Sequence, residues 1–248
     1  MPAPAPAPRR RTPTGSAPAS RPPADPARVD ALLRAHHIEA RTELDHADAF
    51  ELLVATVLSA QTTDARVNAV TPELFLRWPG PDALAGADPD QVEAVVRPLG
   101  MGRTRARRII GLAAGLRDRH GGDVPDDQEA LEALPGVGRK TAHVLRGAWF
   151  GHSALAVDTH VGRLSRRLGW TERTDPRHVE DDVVARVREA EERTGRSIDL
   201  TLLSLRMILH GRRVCTARAP RCADCAIAPI CPSAPADAAG GPAAGGAA

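Results

Sequence analysis

The 248-residue sequence predicts an all-α protein. Three observations carry that expectation. Apolar residues recur at helical spacing through the middle of the chain, no segment sustains alternation with period two, and Pro or Gly interrupts the pattern at short intervals. Hydrophobic residues make up 42% of the chain, enough for a sizeable core. Aromatics are only 2% and Tyr is absent, so Leu, Val, Ala and Ile must fill that core.

Residues 1–26 are mostly Pro, Ala, Arg and Ser without periodicity, and are expected to be a disordered tail. The first strong helix runs over Asp48–Ser59, where Phe50, Leu52, Leu53, Val57 and Leu58 form a wide apolar face. Asp48 with Glu51 three residues on is its start signal. Further helices are expected over 64–78, 89–97, 103–119, 127–133, 139–149, 158–168, 177–193 and 198–210. Pro79-Gly80, Leu99-Gly100, Gly121-Gly122 and Pro135-Gly136 separate them. Residues 233–248 read as a second disordered tail.

Net charge is +2. Arg9, Arg10, Arg11 and Arg21 against Asp25 give the first 25 residues +3, which leaves −1 for the rest. Any nucleic-acid face must therefore come from local clustering. No apolar run approaches the ~20 residues of a membrane helix, and no secretory signal is visible. A cytoplasmic protein is the expectation. Lys and Arg number 33 together, yet Lys140 is the sole lysine. An amine can lose its proton and attack carbon, whereas a guanidinium cannot.

Lys140 sits in Leu134-Pro-Gly-Val-Gly-Arg-Lys-Thr-Ala142. A short helix ends near Leu134, a Gly-rich turn follows, and a second helix starts at once. Gly136 and Gly138 are expected to allow the sharp turn and to leave amides open to an anion at a helix start. That suits one phosphate of a DNA backbone, read without regard to sequence. Downstream, Asp158 follows the apolar run Leu155-Ala-Val and precedes a helix, so it is both a helix cap and a candidate carboxylate partner for the amine.

All four cysteines lie near the C-terminus, spaced C-x6-C-x2-C-x5-C as Cys215, Cys222, Cys225 and Cys231. Clustered thiols in a chain without an export signal point to metal. Only Cys222 and Cys225 form the close pair usual in zinc ribbons, so a [4Fe–4S] cluster is favoured over zinc. Arg212, Arg213, Arg218 and Arg221 nearby are expected to meet phosphate or to balance cluster charge.

The hairpin string, the aspartate and the cysteine spacing, in this order, resemble the endonuclease III family of helix-hairpin-helix DNA glycosylases, as does Leu58-Ser-Ala-Gln-Thr-Thr-Asp64. The resemblance spans about residues 27–232. It implies two helical lobes flanking a DNA-binding cleft: a six-helix lobe over 42–152, and an iron–sulfur lobe combining 27–41 with 153–232. It implies base excision of oxidised pyrimidines from double-stranded DNA, with Lys140 attacking C1′ and a Schiff base then breaking the strand 3′ to the abasic site by β-elimination. Asp158 would assist proton transfer. Gln61 would fill the space of the flipped nucleotide, and Met101 would wedge into the duplex. Gly136, Val137, Gly138, Arg139, Thr141 and His160 are the other candidate DNA contacts. The [4Fe–4S] cluster would be structural or DNA-sensing, and the protein monomeric and nucleoid-associated. One departure stands out: Gly102 occupies a position where the family commonly has an aromatic. Two alternatives are an adenine-mismatch glycosylase, which lacks the lysine, and a non-catalytic redox-sensing DNA-binding module.

Overall fold

The computed structural model describes residues 21–240. In chain order the α-helices are α1 (Pro26–His36), α2 (Ala49–Leu58), α3 (Asp64–Asn68), α4 (Thr71–Arg77), α5 (Pro81–Ala85), α6 (Pro89–Val96), α7 (Gly102–His120), α8 (Gln128–Glu132), α9 (Arg139–Ala148), α10 (Thr159–Arg167), α11 (Pro176–Thr194) and α12 (Leu200–Arg213). Short 3₁₀ turns lie at Arg97–Leu99, Cys222–Asp224, Ala228–Ile230 and Ala236–Gly240. No strand occurs among the described residues, as the periodicity predicted.

Two cores form. The first gathers Phe50–Leu58, Leu74, Val92–Leu99, Ala106–Leu116, Leu131–Val137, Ala142 and Leu145. At its centre α2 is buried from Leu52 to Leu58, a stretch apolar but for Thr56, whose hydroxyl donates to Leu52 O at 2.7 Å. Its start is pinned as the sequence predicted: Asp48 accepts from the Glu51 amide at 2.8 Å, and Glu51 accepts from the Ala47 amide at 2.6 Å. The second core gathers Val29 and Leu33 of α1 with Leu155–Trp170, the Val179, Val183 and Val187 stripe of α11, Met207, and Cys225–Ala228. From Ala24 the described chain runs in the second core, crosses to the first over 37–48 and returns over 150–157.

Two expectations need correction. Helix 64–78 is two helices, α3 and α4, broken at Ala69–Val70 because Pro72 belongs to the first turn of α4, where its missing N–H costs nothing. The expectation of tails also fails for residues 21–26 and 233–240. Residues 1–20 and 241–248 lie outside the described residues, but Arg21 donates to the carbonyls of Ala228 and Cys231 at 3.3 Å. Ala24 is buried and receives the Trp170 indole N–H at 2.7 Å. Asp25 caps α1, and Ser233 donates to Arg167 O at 2.8 Å. Both ends of the described chain thus pack on the second core, an arrangement made by tertiary contact that composition does not show.

Candidate active site

The hairpin forms as expected. α8 ends at Glu132, the Val137 amide donates to Leu134 O at 3.1 Å, and α9 starts at Arg139. Gly136 has φ +81°, a conformation that L side chains avoid, so glycine is required there. Gly138 is different. Its φ of −105° is open to any residue, so it is not needed for the turn; nothing lies within 4 Å of a Cβ placed on it. Its missing side chain leaves clear space before the first amides of α9, which has no side-chain cap. Val137 is buried in the first core and offers only backbone to a ligand.

Lys140 is exposed on the first turn of α9. It borders two cavities between the cores. One, of about 320 Å³, is walled by Arg139, Lys140, His143, Val157 and the start of α11. The other, of about 70 Å³, includes Glu43, Ser59, Asp64 and Arg212. A third, of about 680 Å³, shares Glu43, Asp64 and Arg212 with the second and is bordered by Thr62 and His160. Lys140 therefore faces Val157, the residue before Asp158, in the first cavity, while the paired Glu43, Arg212 and Asp64 stand between the second cavity and the one that reaches Thr62 and His160.

Asp158 is half-buried and caps α10. Its Oδ1 accepts from the His160 and Val161 amides, both at 2.8 Å. Among the described residues Oδ2 takes no protein hydrogen bond, so capping leaves one carboxylate oxygen available. Arg139, expected to meet DNA, is paired with α11: its guanidinium donates to both Glu180 oxygens at 2.8 Å while its side chain stays 39% exposed. That bond, first, holds the Arg139 pKa above its ordinary value. The hairpin thus presents backbone amides and Lys140, while Arg139 ties the two lobes together. Thr141 is half-buried, and His160 Nδ1 lies 3.1 Å from Arg163.

Gln61 and Met101 are the two non-glycine residues with positive φ among those described, at 60° and 51°. Such strain costs roughly 1–3 kcal/mol each and persists only where surroundings impose it. Met101 is 54% exposed, so it is no core residue. Gly102 follows at the start of α7, where an added Cβ would lie 3.2 Å from Glu93 Cγ and 3.3 Å from Arg97 Cα. A Cβ at this position is therefore tight against α6 and the 97–99 turn, and a larger side chain needs both to give by a few tenths of an ångström.

The four cysteines border one small cavity together with Leu164, Leu168 and Ile227. Burial pushes the Cys225 thiol up to about 11 and the Cys231 thiol up as well. Arg167 donates to Cys215 Sγ at 3.0 Å, and His210 Nε2 lies 3.4 Å from Cys225 Sγ. Among the described residues no three His, Cys, Asp or Glu side chains are grouped so as to hold a single metal ion. Four thiols nevertheless line one space, with Arg167 and His210 against two of the sulfurs. The arginines before and within this loop do not all serve it as expected. Arg212 pairs with Glu43 at 2.6 Å and Asp64 at 3.1 Å, and Arg213 pairs with Glu43 at 3.3 Å, so both bridge to the segments flanking the first core.

Residues 54–189 match the HhH-GPD superfamily base excision DNA repair protein family. The chain is 43% identical to endonuclease III of Synechocystis sp., covering 82% of this chain and 90% of that protein. It is 38% identical to endonuclease III of Escherichia coli over 80% of this chain and 90% of that one. The chain belongs to the endonuclease III family. The solved structure of a trapped endonuclease III–DNA covalent intermediate superposes with a TM-score of 0.75 at 38% identity, covering 84% of this chain and 94% of that chain. A thermostable thymine-DNA glycosylase superposes at 0.69 with 20% identity, a likeness of fold. Within this family member, sequence reasoning missed Arg105, Glu180 and the Glu43–Arg212–Asp64 bridge. Their types are common along the chain, and only burial and pairing single them out.

Proposed function

We propose that the protein is a base excision repair DNA glycosylase with AP lyase activity, acting on oxidised pyrimidines in duplex DNA. The observation that carries this reading is Lys140: the one lysine of the chain, exposed on the first turn of α9 and bordering a cavity with Val157, the residue before Asp158. An ordinary lysine amine is protonated at neutral pH and must lose that proton to attack. In the proposed reaction Lys140 Nζ bonds to C1′ of the flipped nucleotide as the C1′–base bond breaks, and the base leaves with the bonding electron pair. Opening of the sugar ring gives the imine. Loss of a C2′ proton then expels the 3′ phosphate, which breaks the strand. Asp158, with Oδ1 occupied by the α10 amides, has Oδ2 to receive a proton and to oppose positive charge on the sugar.

Gly136, Gly138 and the uncapped amides of α9 would hold a phosphate. Thr141, His160 and Arg139 are proposed at the same face, Arg139 through its hold on Glu180. Gln61 and Met101 would occupy the gap left in the duplex. Cys215, Cys222, Cys225 and Cys231 fit a [4Fe–4S] cluster by number, thiol chemistry and shared cavity, and it would serve structure or DNA sensing rather than strand cleavage. We take the lobes as 42–152 and 27–41 with 153–232, and the protein as a cytoplasmic monomer.

The test is product analysis on a duplex with one oxidised thymine. Free base together with a nicked strand is expected. Free base with nicking only after alkali would replace this reading with a monofunctional glycosylase, and binding without either product with a DNA-binding module.

A further inference from the structure

Arg105, on α7, is 4% exposed, yet it is a cation that makes no ion pair among the described residues. Burial first, then the charges of Arg108 and Arg66, lowers its pKa. Such a group is costly to bury unless its donors are satisfied. They are satisfied by carbonyls alone. Nη1 donates to Leu58 O, Nη2 to Ala60 O at 2.7 Å and to Leu99 O at 3.4 Å, and Nε to Gly100 O at 2.8 Å. Ala60 immediately precedes Gln61, and Gly100 immediately precedes Met101. One guanidinium therefore grips the C-terminal end of α2 and the end of the 97–99 turn, the two segments that lead into the left-handed residues. Arg66, beyond Gln61 on α3, adds a second tie by donating to Pro98 O.

We propose that Arg105 is the positioning residue for strand penetration. It fixes the spacing and direction of Gln61 and Met101, so that both enter the duplex together. The inference rests on the reading of those two residues as duplex wedges and adds what holds them. A planar fork that serves both loop ends at once suits this role; an ammonium, a single point charge, reproduces only part of it. Of the carbonyls it binds, Leu58 O and Leu99 O close the ends of α2 and the turn, and Ala60 O and Gly100 O belong to the residues directly before Gln61 and Met101.

The role separates from folding because unstacking is needed only in duplex DNA. The variants are Arg105→Gln and the more conservative Arg105→Lys, with Gln61→Ala and Met101→Ala as controls. For each, strand cleavage at an abasic site is measured in duplex and in single-stranded DNA on the same preparation. The ratio of the two rates is independent of the fraction of protein that folds. A 2-aminopurine opposite the site reports unstacking by fluorescence. Arg105→Gln is expected to lower the duplex-to-single-strand ratio about tenfold or more, in line with the cost of ångström-scale misplacement. Arg105→Lys should recover part of the loss, and the 2-aminopurine signal should slow in parallel. A normal ratio in Arg105→Gln, with both wedge variants impaired, would overturn the clamp while leaving the wedges. Normal ratios in Gln61→Ala and Met101→Ala would overturn the wedge reading and the clamp with it.

Discussion

Gly147 lies on α9 where that helix crosses the start of α12, and the account predicts that Gly147→Ala is destabilising even though it improves helix propensity. In a helix interior Ala is favoured over Gly by roughly 1 kcal/mol. Here an added Cβ would stand 2.3 Å from Thr201 Oγ1, 2.5 Å from its Cγ2 and 3.0 Å from its Cβ. Thr201 is not free to turn aside. Its hydroxyl donates to His152 O at 2.8 Å, lies 3.1 Å from Ala154 O and accepts from the Ala154 amide at 3.0 Å. Overpacking costs about 1–3 kcal/mol, and a buried amide left without its partner costs about 1–3 kcal/mol more. After subtracting the propensity gain, the net loss is about 1–5 kcal/mol, or roughly 2–20 °C in melting temperature for a protein of this size. Thermal unfolding followed by far-ultraviolet circular dichroism measures it. Thr201→Ala in the same background removes the two nearest clashing atoms, so the double substitution should cost less than the sum by more than about 0.5 kcal/mol. A Gly147→Ala variant that melts at or above the parent temperature would refute the reasoning.

Asp158→Asn preserves an oxygen for both α10 amides, so melting should move by no more than about 1 kcal/mol. Strand cleavage should fall by about 10²–10⁴; cleavage at the parent rate would remove Asp158 from the chemistry. The parent should contain iron and absorb broadly in the blue, and Cys225→Ser should lose both; stoichiometric zinc without iron would overturn the cluster. Burial first, then Arg213, His36 and Arg206, lowers the His37 pKa from 6.5, and burial followed by His37 lowers that of His210 to about 4. Both imidazoles are therefore neutral in the fold, so the stability that neutrality supplies is complete above pH 6.5 and is lost as pH falls below it. Melting temperature should drop between pH 7 and pH 5, and His37→Asn should flatten that slope; an unchanged slope would contradict the reading.

Much of this fold is written locally. The apolar run in α2, the Asp48–Glu51 start, the hairpin turn and the Asp158 cap depend on neighbours within a few residues, and periodicity or turn chemistry shows them. The break between α3 and α4 was signalled by Pro72 and outweighed by the apolar pattern around it. Asp25-Pro26, a cap and first-turn pair, likewise opens α1 but lies within a Pro-rich stretch that reads as tail. What sequence does not show is non-local. Arg105 is one arginine among many until its carbonyl partners, more than 40 residues away for Leu58 and Ala60, are seen. Arg139 looks free for phosphate until Glu180, 41 residues on, is found holding it. The positive φ of Gln61 and Met101 follows directly on the packed ends of α2 and the 97–99 turn, and their own residue types do not signal it.

The central claim is that Lys140 forms a covalent imine with the sugar. Borohydride reduces such an imine to a permanent protein–DNA cross-link, so trapping on a duplex with one oxidised thymine or abasic site tests it most directly. The account predicts a cross-linked species in the parent that disappears in Lys140→Gln while binding to the damaged duplex remains. A cross-link of parental yield in Lys140→Gln, or none in an active parent, would contradict it.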